Sequence, residues 1–357
     1  MNLAFKKLIS ITKTPILTST YEFQKVGFIR FNSTKKDVKL EVNSELDTIL
    51  SHFDAPIRFA CGYGSGVFKQ LGYSSNDLPQ VDLIFGVTHP AHWHSENFRK
   101  NRHHYSGMSK LGSGFVSMVQ DNFGAGIYYN PYCKIGNLKV KYGVISIEKL
   151  VNDLVHWDTL YLAGRMQKPL KILKDDPHVK IANQINRSHA LRASLLMLPK
   201  TFTIEELFTV LVSISYMGDF RMIVGENPKK VQNIVKAQHQ FLEEIYHPVI
   251  DAFPNLSRNG DIIEQVYDDE MTNKIAKKLP VKLRKVLKNE YIIATRAPMN
   301  TEVEYKRSSD MKKATEQALS NIVKESALTQ SVKGLFTAGI TRSIWYIKEK
   351  LSKMFRK

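Results

Sequence analysis

The chain has 357 residues, 43% hydrophobic and 24% charged, enough to bury a substantial core and to form two domains. Its formal net charge is +17 at pH 7, but residues 1–36 and 331–357 each carry seven Lys or Arg against one acid, which leaves +5 for the body between them. That distribution argues against a broad nucleic-acid groove; two cysteines exclude a disulfide framework and a cysteine-based zinc site, and no apolar run approaches the roughly 18–20 residues of a membrane span.

Residues 1–35 read as a mitochondrial presequence. Lys6, Lys7, Lys13, Lys25 and Arg30 interleave with Leu3, Phe5, Leu8, Ile9 and Ile11 among many Ser and Thr, with Glu22 the single acid. Arg30 shortly before Ser33 sets the expected start of the mature chain near Ser33. Residues 36–198 then predict an α/β (α+β) domain on a central sheet. Strand-like runs at 57–62, 81–87, 126–130 and 139–147 alternate with Gly-rich turns, and helical patterns cover 39–53 and 147–163.

The first strand runs into the turn Gly62-Tyr63-Gly64-Ser65-Gly66 and on into an expected helix. Glycines let the backbone approach a phosphate, N–H groups at a helix start favour an anion, and Ser65 adds a hydroxyl donor. The pattern is neither the dinucleotide nor the Walker motif, so a purely structural turn is the alternative. One strand later, Asp82 is a lone carboxylate in the apolar run Val81-Asp82-Leu83-Ile84-Phe85, a costly placement unless it is partnered, binds a cation, or sits in a strand-end turn. A Gly-Ser turn followed by such an aspartate resembles the nucleotidyltransferase superfamily of DNA polymerase beta. There the turn grips a triphosphate and strand carboxylates hold Mg²⁺ for in-line attack on the α-phosphorus. That superfamily usually has a second carboxylate two residues on, where this chain has Ile84; Asp219, then Asp158 or Asp153, are the candidates to replace it. His89, His92, His94, His103 and His104 lack the Glu of the helical metalloprotease pattern, and Pro90 with the nearby Asn and Ser predicts a loop. Phosphate contacts from one or two of them are expected ahead of a zinc site.

Beyond Leu198-Pro199, residues 199–300 predict a smaller, mostly helical domain, with helices over 202–216 and 229–246. Thr203 followed by Glu205 and Glu206 supplies a capped start to the first. Residues 301–330 read as a linker or a weakly packed helix. In 331–357, Val332, Phe336, Ile340, Ile344, Ile347 and Leu351 recur every three or four residues, with Lys333, Arg342, Lys348, Lys350, Lys353, Arg356 and Lys357 supplying charge. This predicts an amphipathic helix on an anionic membrane surface, each basic residue contributing about 1 kcal/mol; an ordinary docked helix is the alternative.

Taken together, the sequence resembles the mitochondrial CDP-diacylglycerol synthase (phosphatidate cytidylyltransferase) family, also called the translocator assembly and maintenance family. The resemblance runs through residues 62–70 and 82–85, His89-Pro90-Ala91-His92-Trp93-His94, His104-Tyr105-Ser106 and Gly124-Ala125-Gly126-Ile127-Tyr128-Tyr129-Asn130. It continues in Lys141-Tyr142-Gly143-Val144, in residues 160–169 with Ala163-Gly164-Arg165, in residues 215–222 and 231–235, and in 330–339. The resemblance implies a nucleotidyltransferase-type domain followed by a winged-helix-like domain. It also implies CMP transfer from CTP to phosphatidic acid with Mg²⁺, a place on the matrix face of the inner membrane, and a product that feeds phosphatidylglycerol and cardiolipin. The family itself carries one aspartate on the Asp82 strand, so Ile84 departs from the superfamily and not from the family.

The lipid phosphate is then the nucleophile, and positioning and charge neutralisation are the expected means of catalysis. Asp82 is assigned to the metal, residues Gly62, Tyr63, Gly64, Ser65 and Gly66 to the triphosphate, and Lys141 to phosphate charge, with a solvent-facing lysine as the competing reading. Asp219 and Arg221 either pair structurally or line the cleft, Asp219 as a catalytic candidate; His92 and Arg165 are assigned to substrate. Two other classes stay open: a non-enzymatic assembly factor for inner-membrane translocases, and a nucleotidyltransferase acting on RNA, which the nearly neutral body disfavours.

Overall fold

The computed structural model describes Leu46 and residues 48–68, 80–222, 227–298 and 302–338. The presequence, most of the helix expected over 39–53, and residues 339–357 of the amphipathic segment lie outside the described residues.

Five strands form one mixed sheet in the order β3-β4-β2-β1-β5. They are β1 Phe59–Tyr63, β2 Val81–Val87, β3 Ile127–Ile135, β4 Leu138–Ser146 and β5 Lys171–Lys174. Strand β2 lies at the centre, antiparallel to β1 and parallel to β4. It is buried on both faces, which is why it reads as an almost unbroken apolar run. One face presents Phe59, Cys61, Ile84, Ile127 and Ile145 to helices α3 (Ile147–His156) and α5 (Pro177–Met197). The other presents Ala60, Leu83, Phe85, Tyr142 and Val144 to Phe53 and to Trp93 of α1 (Pro90–Asn101).

Helix α1 replaces the loop expected around the histidines. Pro90 sits in its first turn, where the missing N–H is one that a helix start leaves unpaired anyway. His94 is fully buried on this helix. Its Nε2 donates to Gln120 Oε1 at 2.9 Å, and its Nδ1 lies 2.8 Å from the Tyr105 hydroxyl, which Asn97 also reaches at 2.9 Å. Gln120 belongs to α2 (Gly112–Asn122). Helix α3, expected to run to residue 163, stops at His156 because Trp157 adopts a left-handed conformation (φ 57°) and the chain turns back over Asp153. A short helix α4 (Ala163–Met166) follows the turn.

After α5, strands β6 Thr201–Thr203, β7 Leu256–Asn259 and β8 Ile262–Gln265 form a three-stranded sheet in the order β6-β8-β7. It is accompanied by α6 (Ile204–Ser213), α7 (Lys230–Asp251), α8 (Asp269–Lys277) and α9 (Val281–Thr295). Thr203 and Glu206 make the reciprocal capping box at the start of α6.

Of the segment 301–330, expected to be a linker or a weakly packed helix, residues 309–330 lie in α10 (Ser309–Ala338), a 30-residue helix that is well packed. Met311, Ala314, Ala318, Leu319, Ile322 and Val323 are buried in the same core as α3 and α5. Three of the buried residues at its centre are alanines (Ala314, Ala318 and Ala327), so close packing rather than strong hydrophobicity marks this face. Lys333, counted in the sequence among the headgroup-facing cations, is buried at 4% exposure and donates to the carbonyls of Gln120 (2.8 Å) and Phe123 (2.7 Å) at the end of α2. A cation at a helix C-terminus meets the negative end of the dipole there.

Burial holds the His94 pKa down to about 4, against an ordinary 6.5. The unfolded chain therefore binds a proton between pH 6.5 and 4 that the folded chain does not, and stability falls as pH drops through that window. Urea titrations at a series of pH values are expected to show His94 contributing a loss of on the order of 3 kcal/mol from pH 6.5 to 4. In His94→Gln that slope flattens, while the stability above pH 6.5 drops.

Candidate active site

Strand β1 delivers Tyr63 to the turn. Gly64 adopts φ 75°, a conformation that favours glycine, and its carbonyl accepts from the N–H of Val67 (3.1 Å) and Phe68 (2.9 Å). Gly66 backs onto the start of β2, where a Cβ would lie 2.3 Å from the Gln80 carbonyl oxygen. The turn is thus seated against the strand that carries Asp82, and the Cβ position of Gly64 is 3.6 Å from Asp82 Oδ2. Gly62 is buried within β1, and Ser65 is half-buried in the turn. The helix expected after the turn falls in residues 69–79, outside the described residues.

Register then fixes the next contacts. Tyr63 pairs with Asp82 across β1–β2, and Asp82 with Lys141 across β2–β4. Opposed residues share a face, so the three side chains stand in one row. Lys141 Nζ is 3.1 Å from Asp82 Oδ1 and 4.5 Å from the centroid of the Tyr129 ring. Burial lowers the Lys141 pKa, but Asp82, Tyr129 and Tyr161 together more than reverse this, so the ammonium stays charged. This paired, half-buried lysine replaces the solvent-facing reading. The Tyr63 and Tyr129 hydroxyls are 3.4 Å apart.

Ile84 stands on the same face, one pleat further into the sheet, and is fully buried. A buried Ile contributes about 1.5–3 kcal/mol, and a carboxylate there would lose that and carry a desolvation cost of several kcal/mol. The position of the missing second carboxylate is therefore part of the core.

Asp153 is not a spare ligand either. Its Oδ1 accepts from Thr159 N (2.8 Å), Thr159 Oγ1 (2.8 Å) and Leu160 N (2.9 Å), and its Oδ2 from Leu162 N (2.9 Å) and Ala163 N (3.0 Å). This carboxylate holds the turn that presents Tyr161 and Arg165. Arg165 donates to the Tyr161 carbonyl, and its guanidinium lies 3.7 Å from the centroid of the Tyr161 ring. Burial works against the Tyr161 phenolate, but Arg165, Arg221 and Lys141 outweigh it and lower its pKa.

Of the two readings the sequence left open for Asp219 and Arg221, the ion pair is present. Arg221 Nη2 donates to Asp219 Oδ2 at 2.6 Å, and its Nε reaches both carboxylate oxygens at 2.9 and 3.1 Å. Burial raises the Asp219 pKa, and the Arg221 bonds lower it further than burial raises it. The pair is also electrostatically linked to Tyr161 and Arg165. Asp82, Lys141, Arg165, Asp219 and Arg221 thus converge around Tyr63, Tyr129 and Tyr161.

His92 is not brought in. It lies on the exposed side of α1, beyond the far end of β2, and the strand from Asp82 to Val87 alone spans about 17 Å. Asp158 is exposed. Tyr129 and Tyr161 were missed by sequence reasoning. Register places Tyr129 opposite Gly143, two residues past Lys141 on the same face, which the sequence does not signal.

Among the described residues, no group of three or more His, Cys, Asp or Glu could hold a metal ion. The donor set fits a cation that brings its own ligands: Asp82 offers one carboxylate, already beside a lysine, and phosphate oxygens and water would complete the shell.

The family model described as mitochondrial phosphatidate cytidylyltransferase matches residues 46–353. Curated proteins named mitochondrial phosphatidate cytidylyltransferase match over most of their length. The Schizosaccharomyces pombe protein is 36% identical, over 92% of this chain and 88% of its own. The Xenopus laevis protein is 40% identical, over 86% and 94%, and the Saccharomyces cerevisiae protein 38%, over 97% and 81%.

Asp153→Ala would leave four buried or half-buried N–H groups without their acceptor. It is expected to lower the unfolding free energy by on the order of 3 kcal/mol in urea titrations, with Asp158→Ala within about 0.5 kcal/mol of the parent. Equal, small effects would contradict the anchoring role of Asp153.

Proposed function

Because the chain belongs to the mitochondrial phosphatidate cytidylyltransferase family, we propose that it transfers CMP from CTP to the phosphate of phosphatidate. Pyrophosphate leaves and CDP-diacylglycerol forms, the precursor of phosphatidylglycerol and cardiolipin. The observation that carries this reading is the row Tyr63, Asp82, Lys141 seated directly beside the Gly64 turn. The curated relatives carry the name of an enzyme acting on phosphatidate, so the RNA and assembly-factor readings are not favoured.

The acceptor phosphate is already a nucleophile, so no side chain needs to form a covalent intermediate. The turn's backbone and Ser65 orient the triphosphate, and Lys141 and Arg165 offset the charge that builds on its oxygens. Asp82 is the residue that would hold Mg²⁺, which supplies neutralisation of the triphosphate when bound. Asp219 orients Arg221 toward the same cluster, a positioning role that replaces its assignment as a metal ligand.

The reading extends to the inner membrane, on its matrix side. No helix among the described residues is long and apolar enough to cross a membrane. Val332, Leu335 and Phe336 of α10 are exposed, Phe336 at 68%, and exposed Phe123 adjoins them through the Lys333 contact. That apolar corner leads into residues 339–357, whose six Lys and Arg against one Glu suit anionic lipid.

One vesicle assay tests both halves. With labelled CTP, Mg²⁺ and phosphatidate in anionic vesicles, the parent chain is expected to form CDP-diacylglycerol, and chelation to stop it. Asp82→Asn is expected to lower kcat about a thousandfold with an unchanged melting temperature. Deleting 339–357, which spares the Lys333 contact, is expected to cut vesicle binding and leave CTP binding intact. Full turnover by Asp82→Asn contradicts the site; unchanged vesicle binding contradicts the anchor.

A further inference from the structure

Helix α2 lacks the charged outer face that a surface helix ordinarily carries. Leu111, Phe115 and Met118 follow one another at spacings of four and three along its outward side, Leu111 exposed at 65%, Met118 at 41% and Phe115 half-buried. The one charged residue of the helix, Asp121, is half-buried and acts on the buried Lys333. Phe123, just past its end, is 56% exposed. The last turns of α10 are inverted in the same sense. Leu328, Val332, Leu335 and Phe336 are exposed, whereas the one charged residue between Glu325 and Ala338, Lys333, is buried. The two elements meet. Lys333 donates to the Gln120 and Phe123 carbonyls, Gln330 Oε1 accepts from Ala125 N at 3.0 Å, and Ser106 Oγ donates to the Phe336 carbonyl at 3.4 Å. Single exposed apolar side chains are ordinary, but a group of them on two touching elements marks an interaction or membrane surface.

We propose that α2 is a second membrane contact, entering the interface of an anionic bilayer with Leu111, Phe115, Met118 and Phe123 beside the end of α10. Charge at the rim of the patch selects this occupant. Lys110 is exposed at the start of α2, and α10 leads into residues 339–357, with six Lys and Arg against one Glu. Such a rim suits anionic headgroups and repels a second copy presenting the same charges. The inference rests on the reading of the chain as acting on phosphatidate at a membrane. A terminal anchor alone sets the distance of the body from the bilayer, whereas a contact through α2 sets its orientation. Val116 of α2 packs on Tyr128 of β3, the strand that also carries Tyr129 of the candidate site, so the contact is one strand-residue removed from the site.

The native cysteines, Cys61 and Cys133, are both buried, so an introduced surface cysteine can be labelled selectively in the full chain. A polarity-sensitive fluorophore on Met118→Cys, and separately on Leu111→Cys, is expected to shift to the blue on vesicles of phosphatidylcholine with phosphatidylglycerol and to be quenched by lipids brominated near the headgroup. The same label on Lys174→Cys, in β5 at the opposite edge of the sheet, is expected to stay in water. The double variant Leu111→Glu, Met118→Glu is expected to bind these vesicles about tenfold or more weakly, with CTP binding within about twofold and an unchanged melting temperature. Labels at 111 and 118 that stay in water on bound chain, or an unchanged vesicle affinity of the double variant, overturn the proposal. A lipid-free parent dimer in analytical ultracentrifugation that the double variant breaks assigns the face to a second copy and overturns it too. Entry of the labels without any CDP-diacylglycerol formed counts against the reaction and leaves the contact standing; turnover with both labels in water does the reverse.

Discussion

A carboxylate in the central strand of a sheet is unfavourable unless something offsets its charge, and here strand register supplies that partner. Because β2 runs parallel to β4, Asp82 faces Lys141, and because β1 runs antiparallel to β2, Tyr63 faces Asp82 from the other side. Much else follows from this row. Tyr129 crosses over Lys141, the Gly64 turn closes over Asp82, and the apolar row that begins with Ile84 carries the same face down into the core. The polar end of the face is the candidate site, and the apolar rest of it belongs to the core.

The second layer of the site comes from the segment after α3. Asp153 draws four backbone N–H groups into one turn, and that turn brings Tyr161 and Arg165 against the strand row. Asp219 and Arg221 add a further ion pair to the same field. Cations outnumber carboxylates in this cluster, which suits the phosphates of the proposed reaction.

The turn, Asp82 and Lys141 were legible in the sequence as unusual residues in regular patterns: glycines at a strand end, a charge in an apolar run; Arg165 entered only through the family resemblance, and Asp219 and Arg221 as neighbours in one short run. Their partnerships were not, because strand register is a tertiary property; nothing in the sequence sets Lys141 opposite Asp82. Asp153 shows the same limit in reverse. A carboxylate near the site reads as a ligand candidate, yet every oxygen is occupied by local backbone. The histidines were misread as a loop because Pro90 signals a break and also suits a helix start equally well. Helix α10 was underestimated because its buried face is rich in alanine, which contributes close packing with little hydrophobic signal.

The claim on which the rest depends is that Asp82 and Lys141 act on the nucleotide as one unit. Calorimetric CTP binding with Mg²⁺ to the parent, Asp82→Asn, Lys141→Met and the double variant measures this directly. Coupling of about 1 kcal/mol or more, the double variant losing less than the sum of the singles, is the expected result. Losses that add to within about 0.5 kcal/mol would mean that the two residues act independently and would contradict it.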